Sequence, residues 1–296
     1  MATLKQLRGR IKAAKNIQQI TRAMKLVAAA RLKRATERAL AARPYSEKLR
    51  EVVGSLSNAG ELPDHPLLKR GEADEFGLIL VTAERGLCGS YNTNMIRAAQ
   101  NFLRESPSSA RIIAVGKKGG SFFSKRAYEV VHTQHPPSAG PIYEDAIEVA
   151  AIAQKMFEEG KIGRLYICYS KFYSAIRQVP QIVQLLPIEP PSEEQGKPGS
   201  SEAAELRTST SDFLFEPDPA SLLRALLPRY FLTNVWQAFL EATASEFGAR
   251  MTAMTNATDN AGKMIQNLTL KANRERQAAI TKEILEVVGG AEALKA

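Results

Sequence analysis

Residues 251–272, MTAMTNATDNAGKMIQNLTLKA, place Met251, Met254, Thr258, Ala261, Ile265, Leu268 and Ala272 at alternating steps of three and four. A helix with that spacing carries one seven-residue stripe of apolar and small side chains, the pattern of a left-handed coiled-coil seam. Working back toward the amino end, no proline occurs after Pro228, and EPDPASLL at 216–223 supplies a helix start. Asp218 is suited to the N-cap and Pro219 to the first helical position, where a missing N–H costs nothing. Gly289 and Gly290 are the expected stop.

A second long helix is predicted over residues 2–57, which are rich in Ala, Leu, Lys and Arg, with no proline before Pro44. Its apolar positions Leu4, Leu7, Ile11, Ala14, Ile17, Ile20, Met24 and Val27 follow steps 3-4-3-3-3-4-3. That is a heptad stripe with one three-residue stammer, which would overwind a coiled coil locally.

Between the helices the period changes. FGLILVTA, RIIAVG and RLYICYSKF read as strands, a weaker strand surrounds Val130, and IVQLLPI closes the region. Helices are expected near Asn92–Arg104, Lys117–Arg126 and Tyr143–Glu159. Alternation of this kind implies a small, largely parallel sheet with helices packed on it. The segment 189–211, rich in Pro, Ser, Glu and Gly, has the composition of a surface loop. The expected fold class is α/β: a long antiparallel coiled coil of the N- and C-terminal helices plus a small Rossmann-like α/β domain. Its boundaries fall at 1–60, 61–212 and 213–296.

Both long helices join the same middle domain, so a paired arrangement must be antiparallel. At 1.5 Å per residue the first spans roughly 80 Å and the second roughly 100 Å. Equal distances from the domain set Leu4 opposite about residue 273, leaving AITKEILEVVGG at 279–290 with no mate inside the chain. Ile280, Ile284, Leu285, Val287 and Val288 make that overhang apolar. Either another molecule sheathes it or the tip folds back on the domain.

Charge is uneven along the chain. The first 50 residues hold fourteen Lys and Arg and two acids, a net +12, which leaves −3 for the other 246. A helix this basic implies an acidic partner or nucleic acid. The absence of any aromatic side chain before Tyr45, together with the apolar seam, favours an acidic protein surface.

Catalytic machinery is scarce. His65, His132 and His135 form no helical metal-ligand pair, and neither ERGLCGS at 84–90 nor VGKKGG at 115–120 is a Walker A loop. Both read as tight turns after strands, with anion binding as the lesser alternative. Cys88 and Cys168 read as buried, reduced thiols. No window approaches the roughly 20 apolar residues of a membrane helix. The first 36 residues lack acids, as a presequence would, but no serine precedes Ser46.

Several segments, in order, resemble the gamma subunits of bacterial F-type ATP synthases: KNIQQITRAMKLVAAARLKRA (15–35), ARPY (42–45), TAERGLCGSYN (82–92), EPDP (216–219), TAMTNATDNAG (252–262) and RQAAITKEILEVVGGAEA (276–293). The last meets the family pattern I-T-x-E-x-x-[DE]-x-x-x-G-A through Ile280, Thr281, Glu283, Glu286, Gly290 and Ala291.

The resemblance implies a central rotor shaft with no catalysis and no cofactor of its own. Its partners would be three alpha and three beta subunits, the epsilon subunit and the membrane c-ring, with no nucleic acid. Membrane association would come only through the complex, on the cytoplasmic face of a bacterial plasma membrane. It implies that Met24 and Lys25 sit beside an acidic loop of beta, and that Glu246, Arg250, Arg276 and Gln277 hydrogen-bond the ring. Thr281 and Glu283 share the terminal stretch, and Ile280, Ile284, Leu285, Val287 and Val288 become a bearing tip. Phe213 and Glu216 fall on the c-ring and epsilon side, although Phe213 stands where some members have Tyr. The loop 189–211 has no cysteine, so the thiol control of chloroplast members is not expected. The family pattern begins at Thr3 or Leu4, which leaves no room for a presequence. A coiled-coil adaptor and a nucleic-acid-binding protein are the alternatives.

Overall fold

The computed structural model describes residues 3–59, 62–106, 108–126, 128–189, 215–216 and 218–293. In order these form α1 (Leu4–Asn58), β1 (Phe76–Val81), α2 (Tyr91–Glu105), β2 (Ala110–Val115), α3 (Lys117–Ser124), β3 (Glu129–Gln134), α4 (Tyr143–Glu158), β4 (Arg164–Ser174), β5 (Arg177–Leu186) and α5 (Pro219–Ala293). By contacts the chain divides into two compact units, Met1–Ala29 with Arg250–Ala296, and Ala30–Ala249. Most of 189–211, and Phe213, lie outside the described residues.

In the unit Ala30–Ala249 five strands are ordered β3-β2-β1-β4-β5. The pairings of β1 with β2 and β4, and of β2 with β3, are parallel. β5 returns antiparallel to β4, because Ala175 and Ile176 leave only a two-residue turn between them, too short for a crossover. Alternation along β1 and β2 sends their side chains to opposite faces. Leu78, Leu80 and Ile112 pack with Met95 and Ala99 of α2 and Phe123 of α3. Ile79, Val81, Ile113 and Val115 pack with α4, with Leu49, Val53 and Leu56 of α1, and with Leu227, Phe231, Val235 and Phe239 of α5. Cover on both faces explains why β1 is buried throughout and reads as a continuous apolar run.

The same unit holds a close approach of the two long helices. Ala35 of α1 and Ala244 and Phe247 of α5 cluster beside Leu32 and Phe172, and the Arg31 guanidinium lies over the Phe247 ring at 5.6 Å.

The predicted start of α5 holds. Asp218 Oδ1 accepts the Ser221 N–H at 2.9 Å, and backbone and side-chain bonds from Ser221 keep that carboxyl below the ordinary carboxylate range. The predicted stop does not hold: α5 continues through Gly289 and Gly290 to Ala293. A helical glycine costs only about 1 kcal/mol relative to alanine, which is not enough to end an already propagating helix.

Two buried polar details generate tests. His65 Nδ1 accepts the Leu67 N–H at 3.2 Å at the start of a short 3-10 turn. Leu67 is fully buried, and its carbonyl accepts the Ile188 N–H at 2.7 Å. Burial lowers the His65 pKa below its ordinary value, and Arg224 adds to this against an opposing pull from Glu158. The unfolded chain therefore binds the proton more readily. The cap's contribution is complete above about pH 6.5 and is lost as pH falls through the depressed folded value. Protection factors of the Leu67 and Ile188 amides, corrected for the slower intrinsic exchange at low pH, should fall on acidification, and His65→Asn, which keeps an acceptor, should flatten that dependence.

On α5, Glu241 is 8% exposed, and Gln237 Nε2 donates to its Oε1 at 3.5 Å. Glu241 Oε2 and Gln237 Oε1 are both buried without a partner. Burial first, and then this carboxylate, push the nearby Tyr169 phenol well above its usual pKa. Glu241→Gln supplies an N–H for one of the two orphan oxygens. Denaturant unfolding should show a gain of about 1 kcal/mol, and a loss of stability would contradict this account of the pair.

Candidate partner-binding surface

In the unit Met1–Ala29 with Arg250–Ala296, α1 and α5 run antiparallel. Thr21 Oγ1 and Thr258 Oγ1 are 2.8 Å apart, and a Cβ added at Gly262 would lie 3.1 Å from Gln18 Nε2. Every α5 position named in the 251–272 seam is buried or half-buried, and Glu275 extends the series. The α1 seam differs from its expectation. Leu4, Leu7, Ile11 and Ala14 continue to Gln18, Thr21, Lys25 and Ala28 in unbroken 3-4 steps, with no stammer. Ile17, Ile20 and Val27, expected inside, are 54%, 59% and 53% exposed. Following apolar residues misplaced the stripe after Ala14, where the seam takes Gln18, Thr21, Lys25 and Ala28 in preference to the larger apolar neighbours. Leu7, Ala14, Thr21 and Ala28, seven apart, are the deepest positions.

Beyond residue 275 every α5 side chain with described burial is exposed. Ile280, Ile284, Leu285, Val287 and Val288 are 48%, 57%, 65%, 73% and 54% exposed, so five large apolar side chains share one uncovered helix end. This unit holds fourteen Lys and Arg and five acids, which accounts for the whole formal charge of +9; the other unit sums to zero.

In the α/β unit the usual ligand crevice is filled, and a shallow hollow of about 370 Å³ lies elsewhere, lined by Lys117, Ser121, Lys125, Thr133 and His135 among others. In an open α/β sheet, ligands enter where strand order reverses, here beyond the carboxyl ends of β1 and β4. A turn of α5 occupies that crevice: Tyr91 Oη donates to the Ala242 carbonyl at 3.3 Å and Ser245 Oγ to the Ser170 carbonyl at 2.9 Å. What remains, lined by Ser90, Asn94, Ser170 and Gln178 among others, is a cavity of about 30 Å³, room for one water and not for a nucleotide.

The segment 84–90 is irregular turn, as expected, whereas in VGKKGG only Gly116 bends and Lys117–Gly120 already belong to α3. Gly116 has φ +89°, and a Cβ there would strike the Thr82 carbonyl. The first N–H of α3 is taken by a carboxylate of the chain itself, Lys117 N donating to Glu84 Oε2 at 2.8 Å. An anion at that helix start would have to displace Glu84.

His132 and His135 turn to different partners. His132 Nε2 lies 3.0 Å from Gln134 Oε1, and His135 Nδ1 lies 3.2 Å from Glu84 Oε2. No group of three His, Cys, Asp or Glu able to hold a metal occurs among the described residues. Cys88 and Cys168 are buried and unbridged, and burial pushes the Cys168 thiol up to about 12. No helix among the described residues is long and apolar enough to cross a membrane.

A family profile described as ATP synthase matches residues 3–294. The ATP synthase gamma chain of Moorella thermoacetica is 46% identical over 295 residues, covering 100% of both chains. This chain belongs to the ATP synthase gamma chain family. Among solved structures, the Tetrahymena thermophila mitochondrial ATP synthase central stalk and c-ring contains a chain 25% identical with a TM-score of 0.56. That match covers 80% of this chain and 99% of that one. A chain of the Euglena gracilis mitochondrial ATP synthase shares the fold at 20% identity and a TM-score of 0.66, over 98% and 94% of the two chains.

The residues that the gamma-chain resemblance singles out fall into separate groups. Arg276, Gln277, Thr281 and Glu283 are exposed and lie on the same overhang as the apolar tip. Met24 and Lys25 are half-buried near the level of Met254 and Thr255, roughly 40 Å along the helix from the tip. Glu246 and Arg250 are half-buried one turn apart on α5, and Glu216 is exposed just before α5 begins. Sequence reading missed the outward stripe of Ile17, Ile20, Leu26 and Val27 and the seam residues Gln18, Thr21 and Gly262. The seven-residue recurrence of small side chains at 14, 21 and 28 was the signal that could have found them.

An uncovered apolar end of this kind promotes association between chains. Replacing Leu285 and Val287 with Ser should lower self-association of the free chain in light scattering. Its unfolding free energy should shift by no more than about 0.5 kcal/mol, as for other exposed positions.

Proposed function

We propose that this chain is the central shaft of an F-type ATP synthase. It turns with a membrane c-ring and drives conformational cycling in a ring of three alpha and three beta subunits. The observation that carries the reading is the bare apolar end of α5 on a unit that holds the chain's entire net charge. Such an end needs an apolar sleeve, and the surrounding cations need an acidic wall.

In this reading Ile280, Ile284, Leu285, Val287 and Val288 turn inside the sleeve, and Met24 and Lys25 pass an acidic loop of beta. The guanidinium groups of Arg250 and Arg276, with Glu246, Gln277, Thr281 and Glu283, make hydrogen bonds that exchange as the shaft turns, a task suited to a planar multi-donor fork. The region 61–212, together with Phe213 and Glu216, forms the foot that meets the epsilon subunit and the c-ring. Segments 1–60 and 213–296 form the shaft. The chain does no bond chemistry itself, and the filled crevice of the α/β unit supports that assignment. Attachment to the cytoplasmic face of the plasma membrane comes through the complex.

The test is a chain truncated before Ile280 and assembled with its alpha and beta subunits. ATP-driven rotation of a bead attached to the foot should lose torque, or assembly should weaken. Rotation at full torque from a stable complex would rule out the bearing role.

A further inference from the structure

α1 carries two candidate seams one residue apart. The stripe Ile17, Ile20, Met24 and Val27 is the more apolar, yet the structure turns inward Gln18, Thr21, Lys25 and Ala28, about 100° round the helix. Between residues 17 and 28 hydrophobicity alone favours the opposite choice. Ala14, Ala28, Ala261 and Gly262 carry no directional group that could hold the rotation of one helix against the other.

The Thr21–Thr258 contact is directional. Thr21 Oγ1 lies 3.1 Å from the Gln18 carbonyl and 2.8 Å from Thr258 Oγ1, which lies 2.7 Å from the Met254 carbonyl. Two hydroxyl protons serve these three contacts, so the bond between Thr258 and Thr21 forms in exchange for one of the two bonds to a backbone carbonyl, and it forms only when Thr21 faces α5. One buried polar contact in a coiled-coil seam fixes register at some expense of stability.

We infer that Thr21 and Thr258 are positioning residues that lock the azimuth of α1. They hold the Ile17, Ile20 and Val27 stripe outward and keep the more apolar seam from closing. What the outward stripe then meets rests on the shaft reading above, whereas the lock itself does not.

The experiment uses the full chain with Cys88→Ala and Cys168→Ala, and spin labels at Gln19→Cys and Lys271→Cys, both exposed positions on the two helices. A one-residue rotation of α1 swings its label by about a helix diameter, roughly 10 Å. The parent and the Thr21→Ser/Thr258→Ser pair, which keep the hydroxyls, should each give one narrow distance. The Thr21→Val/Thr258→Val pair keeps the shape without the hydroxyls, and should add a second, displaced distance while melting no earlier than the parent. A Val pair that retains the single parental distance overturns the lock, and so does a Ser pair that broadens as the Val pair does. Binding of the parent chain to an alpha-beta ring, measured separately, reports on the shaft reading alone.

Discussion

At Gly262 the space left by a missing side chain is filled by Gln18 of the facing helix, at a distance that a Cβ would make tight. Toward the start of α1 the seam holds Leu4, Leu7 and Ile11, with Ile265 and Leu268 on α5, whereas around Thr21 it holds Ala14, Ala28 and Ala261. Small seam residues bury little apolar area, so the pair gains less from packing than its length suggests. They also free the larger apolar side chains to stand outside. Ile17, Ile20, Val27, Met264 and Leu270 are all more than half exposed on helices that elsewhere bury alanine. Over this stretch small residues lie in the seam while Ile17, Ile20 and Val27 face out.

The other unit follows the opposite rule. Its sheet is covered on both faces by large side chains, and the helix residues that cover one face belong to the same α1 and α5 that carry small residues elsewhere. Phe231, Val235 and Phe239 of α5 give way to Ala242 and Ala244 within a few residues, where α5 meets first the sheet and then α1. Composition along one helix thus records the identity of each neighbour. Sealing of the crevice by Ala242 and Ser245 has the same origin: a helix built into the core as structural cover leaves no room there for a ligand.

The parts of the fold legible in the sequence are those set by period and punctuation. β1, β2 and β4 are apolar runs bounded by turns, and Asp218 followed by Pro219 places the start of α5 to the residue. The expected pairing of Leu4 with about residue 273 lies within a few residues of the register set by Thr21 with Thr258. Two features escape. Hydrophobicity places Ile17 and Ile20 in the α1 seam, where the structure has Gln18 and Thr21. Glycine at 289 and 290 reads as a stop because it often is one, whereas the helix runs on through both, and a Cβ at either would meet nothing within 4 Å. Of the proposed contact surface, the apolar tip and the basic helix were readable. The outward stripe was not, because its exposure depends on which of two neighbouring seams closes.

The segregation of charge fits a shaft better than it fits a static adaptor. A fixed interface gains most from buried, geometrically matched ion pairs, which hold one orientation and cost several kcal/mol to break. A turning one needs attraction that survives a change of partner. Charges exposed to solvent, each worth about 1 kcal/mol or less in any one pairing, provide this, because the loss of one contact is offset by the next across a potential that varies smoothly. Apolar contact at the tip has the same property for a different reason, since the hydrophobic effect has no preferred direction and a greased end can rotate without passing through an unsatisfied state. Exposed charge and undirected apolar contact therefore both suit a surface that slides, and both are concentrated on the unit Met1–Ala29 with Arg250–Ala296.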